Sequence, residues 1–307
     1  MKLLKRIAKE VLGDEEIWSR IDVVGDIALI HRKFGYPVER LRVLGEELVR
    51  RMPGIRAVYA IEPGTEGPYK LRKLIHLAGE RRTRTVYKEH GCEYEVDVEK
   101  AFVVPRLSGE HLRIARLVEP WETVFNMFAG VGPFSILIAK MKGAKVYSVD
   151  INPVAYELMV RNVKRNKVEG KVVPILGDSA DVSYWLKGKV DRVLMPLPEL
   201  APSYLDFALL SLKYPGKLHL YLHVLVRYGE RPKTAGERVA RTLIDSKCSS
   251  YELEKVRLVR TVGPRIAQVV ADLTLNKCSF SPRLRPTPNR GPLSELLGLP
   301  QDGSYLR

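Results

Sequence analysis

The sequence predicts an α/β protein with a Rossmann-like, doubly wound sheet over residues 119–277. A small αβ domain is expected before it over 1–52, and a middle β-rich domain with a linker helix over 53–118. Three observations lead there. From Thr123 onward, apolar runs of strand length alternate with helical stretches. A glycine turn, Phe128-Ala129-Gly130-Val131-Gly132-Pro133-Phe134-Ser135, joins the first of those strands to the first helix. Two long runs, 251–262 and 266–275, have little between them beyond Gly263-Pro264 and read as a hairpin closing one edge.

In chain order, Leu3, Leu4, Ile7 and Val11 form one face of a short helix over 3–12. Residues 17–30 read as two short strands around Gly25-Asp26. A helix from Val38 to about Arg51 carries Leu41, Leu44, Leu48 and Val49 as its stripe, and Met52-Pro53-Gly54 ends it. Strands are expected at 57–61, 74–77, 84–88 and 93–98, together making the middle sheet. Arg81, Arg82, Arg84 and Lys88 along it are solvated charges on the plain reading and a phosphate-contacting surface on the sharper one. Ala101 to Leu107 is extended and stops at Pro105, Ser108 is the helix N-cap, and the helix runs to Val118. By position alone, Glu110 in its first turn is a solvated carboxylate favoured by the helix dipole. Then follow strand 123–129, helix 133–142, strand 145–150, a helix from Pro153 to about Asn166, strands 172–176 and 190–195, helix 203–213, strand 218–225 and helix 234–246. Residues 278–307, with Pro282, Pro286, Pro288 and Pro292 among them, read as a loosely ordered tail.

The chain of 307 residues carries 51 Lys and Arg against 36 Asp and Glu, a net charge of +15. A polyanionic partner, most simply nucleic acid, accounts for that excess, as would a generally basic proteome or a charge-rich thermophile surface. No apolar run is long enough for a membrane span. Cys92, Cys248 and Cys278 are odd in number and far apart, which argues against a disulfide framework and a CxxC metal site and points to a reducing, cytoplasmic setting.

In this fold, ligands bind at the carboxyl ends of the strands. Gly130 and Gly132 let the backbone turn sharply and approach a ligand, and Pro133 starts the following helix, whose amide end faces the turn. Asp150, about twenty residues on, suits the two hydroxyls of a ribose. Asp178-Ser179 places a carboxylate where an adenine amino group would donate, and Met195-Pro196-Leu197-Pro198 ends a fourth strand. The plain reading of Asp150 and Asp178 is strand-end capping. An acid, an acid with a polar neighbour and a Pro-rich loop together match an S-adenosylmethionine site. A nicotinamide site would want a third glycine, where Ser135 stands.

The glycine turn, with upstream Pro105-Arg106-Leu107-Ser108-Gly109-Glu110-His111 and downstream Asp150-Ile151-Asn152-Pro153, resembles the archaeal–eukaryotic tRNA (guanine-37-N1) methyltransferases, class I methyltransferases related to the wyosine-pathway transferases. The likeness extends to Tyr87-Lys88-Glu89-His90-Gly91-Cys92, to 191–195 and to Gly263-Pro264. It implies that residues 1–52 dock tRNA away from the anticodon. It implies Glu110 as general base and Arg106 near the target guanine, with Arg72 or Lys70 as a further cation for developing charge on O6. It implies a donor site of His111, Phe128, Gly130, Gly132, Asp150, Ile151, Asp178, Ser179 and Pro196, a tRNA partner held by anticodon loop and body, and a monomer. Four positions depart from the family pattern: Asn126 stands for an aspartate, His111 for an arginine, Phe102 for a tyrosine, and Pro196 for the asparagine of an Asn-Leu-Pro loop. Pro196 bears on whether the target is guanosine or a tricyclic wyosine precursor. Aminocarboxypropyl transfer from the same donor and non-catalytic tRNA binding are the other readings.

Overall fold

The structure, a computed structural model, describes residues 3–13, 17–18, 20–65, 67, 69 and 71–279. Lys70 and the tail from 280 onward lie outside the described residues. Helix α1 (Leu3–Leu12) and helix α2 (Val38–Arg51) pack on a sheet of order β1 (Ile21–Val24), β2 (Ile27–His31), β3 (Ala57–Ile61), β4 (Leu74–Gly79). Strand β2 pairs with β3 in parallel, so α2 is the crossover between them. Leu41, Leu44 and Leu48 are buried against this sheet, and a Cβ on Gly45 would come within 3.0 Å of Leu77. The division expected after residue 52 therefore falls inside a sheet. The stripe of α2 has no cover without β3 and β4.

The expected middle sheet is also split. Strands β5 (Arg84–Glu89) and β6 (Cys92–Asp97) pair with each other as a hairpin, with Tyr87 stacked on Tyr94 at 5.1 Å. The open edge of β6 is satisfied from outside: Glu93 and Glu95 N–H groups donate to Asn166 (2.9 Å) and Asn162 (2.7 Å). A 3-10 turn, Pro105–Leu107, replaces the expected extended chain before α3 (Ser108–Leu117). Ser108 does not cap that helix; its hydroxyl lies 2.8 Å from His90 Nε2.

The remainder is the Rossmann-like domain: β7 (Thr123–Asn126), α4 (Pro133–Lys142), β8 (Lys145–Asp150), α5 (Pro153–Arg165), β9 (Val172–Leu176), α6 (Ser179–Trp185), β10 (Val190–Met195), α7 (Ala201–Ser211), β11 (Leu212–Leu225), α8 (Pro232–Asp245), β12 (Cys248–Gly263) and β13 (Ile266–Cys278). The sheet order is β12-β13-β11-β10-β7-β8-β9. Strands β7 to β11 run parallel, and β12 and β13 are the antiparallel pair expected at one edge. The order reverses between β7 and β10, which opens a crevice at their carboxyl ends. Helix α6 was not expected: it is a short seven-residue turn of chain directly after Asp178.

Cys248 and Cys278 form a disulfide, contrary to the expectation from cysteine count, because the β12–β13 pairing brings these two strand ends face to face. The inference of a reducing setting loses that premise. Among the described residues no helix is long and apolar enough to cross a membrane.

Candidate active site

The glycine turn has the geometry its residues require. Gly130 (φ +56°) and Gly132 (φ +93°) are both left-handed, and Gly132 directly precedes α4. A Cβ on Gly132 would lie 3.0 Å from Ile136 and 3.1 Å from Met159. Asp150, at the end of β8, braces the turn: one oxygen accepts from Gly130 N–H at 2.6 Å, the other from Asn152 N–H at 2.9 Å. Burial pushes its carboxyl above the usual range, and the two N–H groups oppose that shift. The side chains just beyond β8 and at the end of β9 are apolar and uncovered, Ile151 at 54% exposure and Leu176 at 49%. A flat apolar group seated beyond these strand ends would cover them.

Asp178 follows β9 and caps α6, accepting from Ala180 N–H at 2.8 Å and from the Tyr204 hydroxyl at 3.1 Å. Both of its oxygens are thus engaged by protein donors. Ser179 is buried in the first turn of α6, and the Phe128 ring meets Tyr204 edge-on at 5.3 Å. Pro196 opens the loop after β10. Because β10, β7, β8 and β9 are adjacent, Phe128, Gly130, Gly132, Asp150, Ile151, Asp178, Ser179 and Pro196 share one edge of the sheet. His111 reaches the same region from α3. It is buried, 4.5 Å from the Phe134 ring in the first turn of α4, and its Nδ1 lies 2.7 Å from Glu89. Beneath the turn, Asn126 donates to Ser135 at 3.0 Å.

Glu110 is not the solvated carboxylate its position suggests. One oxygen accepts from Arg113 Nη2 and from the Tyr221 hydroxyl, both at 2.6 Å; among the described residues the other accepts only from Arg113 Nε at 2.8 Å. Arg113 in turn donates to both oxygens of Asp272, at 2.7 and 3.1 Å. Behind Asp272 the network continues through His219 (2.6 Å), Arg192 (2.6 Å) and Glu122 (2.7 and 2.8 Å), all buried. Phe134 lies between the two sides of the site, its ring 4.5 Å from His111 and 6.1 Å from Tyr221. Tyr221 and Asp272 lie more than a hundred residues from Glu110 and were not legible. Arg113 was not singled out either, although its position one turn along the helix was a signal for it.

The arginines gather around a second carboxylate. Arg106 Nε lies 2.6 Å from Asp22, which also meets His31 at 2.7 Å and Arg20 at 4.0 Å. Burial works to raise the Asp22 pKa, but the His31 hydrogen bond and the neighbouring charges hold it down at about 2. Arg72 lies over the Phe102 ring at 5.2 Å. Burial lowers the pKa of Arg20, Arg72 and Arg260, and the arginines add to this by opposing one another's charge. Arg106 and Arg72 therefore do converge, together with Arg20 and Arg260, which the sequence did not single out. More positive charge collects here than Asp22 neutralises.

Residues 85–249 match the family model described as the TRM5/TYW2 methyltransferase domain. The chain is 40% identical over 89% of its length to tRNA 4-demethylwyosine(37)-methyltransferase Taw21 of Saccharolobus solfataricus, matching all of that protein. It is 37% identical to tRNA (guanine(37)-N(1))-methyltransferase Trm5b of Methanocaldococcus jannaschii, over 89% of this chain and 76% of that one. Among solved structures it is similar to aTrm5 in complex with tRNALeu (34% identity, TM-score 0.79, 89% and 78% of the two chains). It is also similar to M. jannaschii TYW2 in complex with AdoMet (28%, TM-score 0.61, 84% and 100%).

Proposed function

Because the chain belongs to the TRM5/TYW2 methyltransferase family, with S-adenosylmethionine as its cofactor, we propose that it methylates N1 of guanosine at position 37 of tRNA. The observation that carries this reading is Glu110, a carboxylate held by Arg113 and Tyr221 next to the turn that binds the donor. Gly130 and Gly132 would admit the donor by their bare backbone, Asp150 would hold its ribose hydroxyls, and Ile151 would cover its adenine. The bound sulfonium supplies an electrophilic methyl group. Guanine N1 carries a proton and attacks poorly until that proton leaves. Glu110 takes it through the oxygen with a single partner, as the N1–C bond forms and the C–S bond breaks. Negative charge shifts toward O6, where Arg106 or Arg72 stabilises it. The base has to leave its stack to reach this depth, and the arginine cluster holds the loop backbone meanwhile.

A second reading, methylation of 4-demethylwyosine at the same position, is favoured by two observations. The likeness to Taw21 spans that whole protein, and Pro196 offers neither a side-chain amide nor an N–H to a guanine edge. The deciding experiment supplies S-adenosylmethionine labelled on the methyl group or on the carboxypropyl chain, with tRNA carrying either base. Nucleoside mass spectrometry then identifies the product. Methyl label as 1-methylguanosine supports the first reading. Label only on the tricyclic base, or only from the carboxypropyl chain, overturns it.

Asp150→Ala is expected to weaken donor binding roughly 10–100-fold, the scale of losing charge-assisted hydrogen bonds at a site whose turn it also braces. Titration calorimetry with S-adenosylmethionine measures this. An unchanged Kd would remove Asp150 from the site.

A further inference from the structure

The chain after β11 continues past the level of the arginine cluster. Across the antiparallel edge, His223 of β11, Gln268 of β13 and Arg260 of β12 stand in one rank. Arg260 belongs to the cluster around Asp22. Three residues beyond His223, Val226 still pairs with Arg265 of the β12–β13 hairpin. Its N–H donates to the Arg265 carbonyl at 2.8 Å, and Arg265 Nε donates to its carbonyl at 3.2 Å. The chain then turns through Arg227-Tyr228-Gly229-Glu230, roughly 10 Å beyond the rank of Arg260 and at the ligand edge of the sheet. This turn is pinned. Glu230 N–H donates to the Arg227 carbonyl at 3.0 Å, and Gly229 is left-handed (φ +75°) at the third position, where such a turn favours glycine. The Glu230 carboxylate accepts from Arg227 N–H at 2.9 Å and from two nitrogens of Arg238 on α8, each at 3.3 Å. The ring at the tip lies in water: Tyr228 is fully exposed. Around it, Arg227, Arg231, Lys233 and Arg265 are exposed as well. Among the described residues Arg231, Lys233 and Arg265 form no ion pair, and Glu230, whose charge acts on Arg227, is shared with Arg238.

A single exposed ring is ordinary on a protein surface. A ring held out on a pinned turn, among cations without counter-charges and in line with the arginine cluster, is a different case. It combines the two elements that bind single-stranded nucleic acid: cations for the backbone and a flat face for a base. Every base has such a face, so the ring selects for an unpaired base and not for a sequence. A helical stem keeps its bases stacked on one another and offers none to a side chain. The arginine cluster receives the target nucleotide, so the unpaired nucleotides that continue from it belong to the anticodon loop.

We infer that Tyr228 is a stacking platform for an unpaired anticodon-loop base other than the target, with Arg227, Arg231 and Arg265 on the adjoining phosphates. This rests on the tRNA reading above and holds for either target base.

Tyr228→Ala is expected to weaken tRNA binding by about tenfold, the scale of one lost base stack, and Tyr228→Phe, which keeps the flat face, by less than about twofold. Arg231→Ala removes a charge instead and should flatten the slope of log Kd against log salt by about 0.7, the value for one single-strand phosphate contact. Tyr228→Ala should leave that slope as it is. To place the base, abasic nucleotides are introduced one at a time at the unpaired loop positions other than 37, and fluorescence anisotropy reads the affinity. One such position should cost the wild type about tenfold and cost Tyr228→Ala nothing further. Unchanged affinity in Tyr228→Ala, equal loss in Tyr228→Phe, or abasic losses that all add to that of Tyr228→Ala would overturn the inference while the functional reading stands. A wild type that binds no tRNA would overturn the reading and the inference with it.

Discussion

Glu110→Gln should lower the single-turnover rate of methyl transfer by about 10²–10⁴-fold, the usual share of a positioned general base. Affinity for S-adenosylmethionine should be unchanged. The separation follows from the partners. Glu110 bonds to Arg113 and Tyr221, not to the glycine turn or Asp150, so donor binding does not run through it. The amide keeps an oxygen for the Tyr221 hydroxyl and Arg113 Nη2; its NH2 replaces the oxygen that accepts from Arg113 Nε, so that bond goes together with the capacity to take a proton. Arg113 keeps Asp272 as a counter-charge, so the substitution leaves no unpaired buried cation. Rapid-quench kinetics with labelled donor reads the rate and calorimetry reads the affinity. A rate within threefold of wild type would sink Glu110 as the base.

Arg192→Met is expected to destabilise the fold by about 3–5 kcal/mol, because it leaves the buried carboxylate of Glu122 without its cation. Arg192 holds both oxygens of Glu122, donates to His219 and reaches the Leu117 carbonyl at the end of α3. It thus ties β10 to the helix that carries Glu110. The unfolding midpoint in urea measures the loss. The double variant Arg192→Met, Glu122→Leu should recover much of it, since an apolar pair of similar volume often matches a buried ion pair. A loss below 1 kcal/mol in the single variant would show that water reaches this pair.

The parts of the site written in one stretch of chain were legible. Gly130 and Gly132 permit the left-handed backbone the turn adopts, and Pro133 has its φ preset for a first helical turn, so strand, turn and helix followed from local chemistry. Asp150 and Asp178 were legible as strand-end acids because alternating strands and helices bring every parallel strand's carboxyl end to one edge. Their partners were not: the Tyr204 hydroxyl reaches Asp178 from another helix. The error at the amino-terminal end has the same origin. Residues 1–52 look self-contained because α2 has a clean apolar stripe, but a stripe does not name the strands that cover it. Those are β3 and β4, which read equally well as the start of another sheet. The cysteines failed likewise. Thirty residues of separation look remote until the antiparallel register of β12 and β13 sets the two ends side by side.

The sequence by itself determined the Rossmann-like fold and the glycine turn, features whose physics is local: backbone conformation, helix starts, alternation of apolar runs; the block from Pro105 to Glu110 stood out only by its resemblance to the family. Tertiary structure alone decided what Glu110 is. A first-turn glutamate is a solvated charge by every local rule. Here Tyr221 and Asp272, brought in by β11 and β13, enclose it with Arg113 and make it a held carboxylate beside the donor turn. Strand pairing between distant segments sets that enclosure, and no spacing along the chain encodes it.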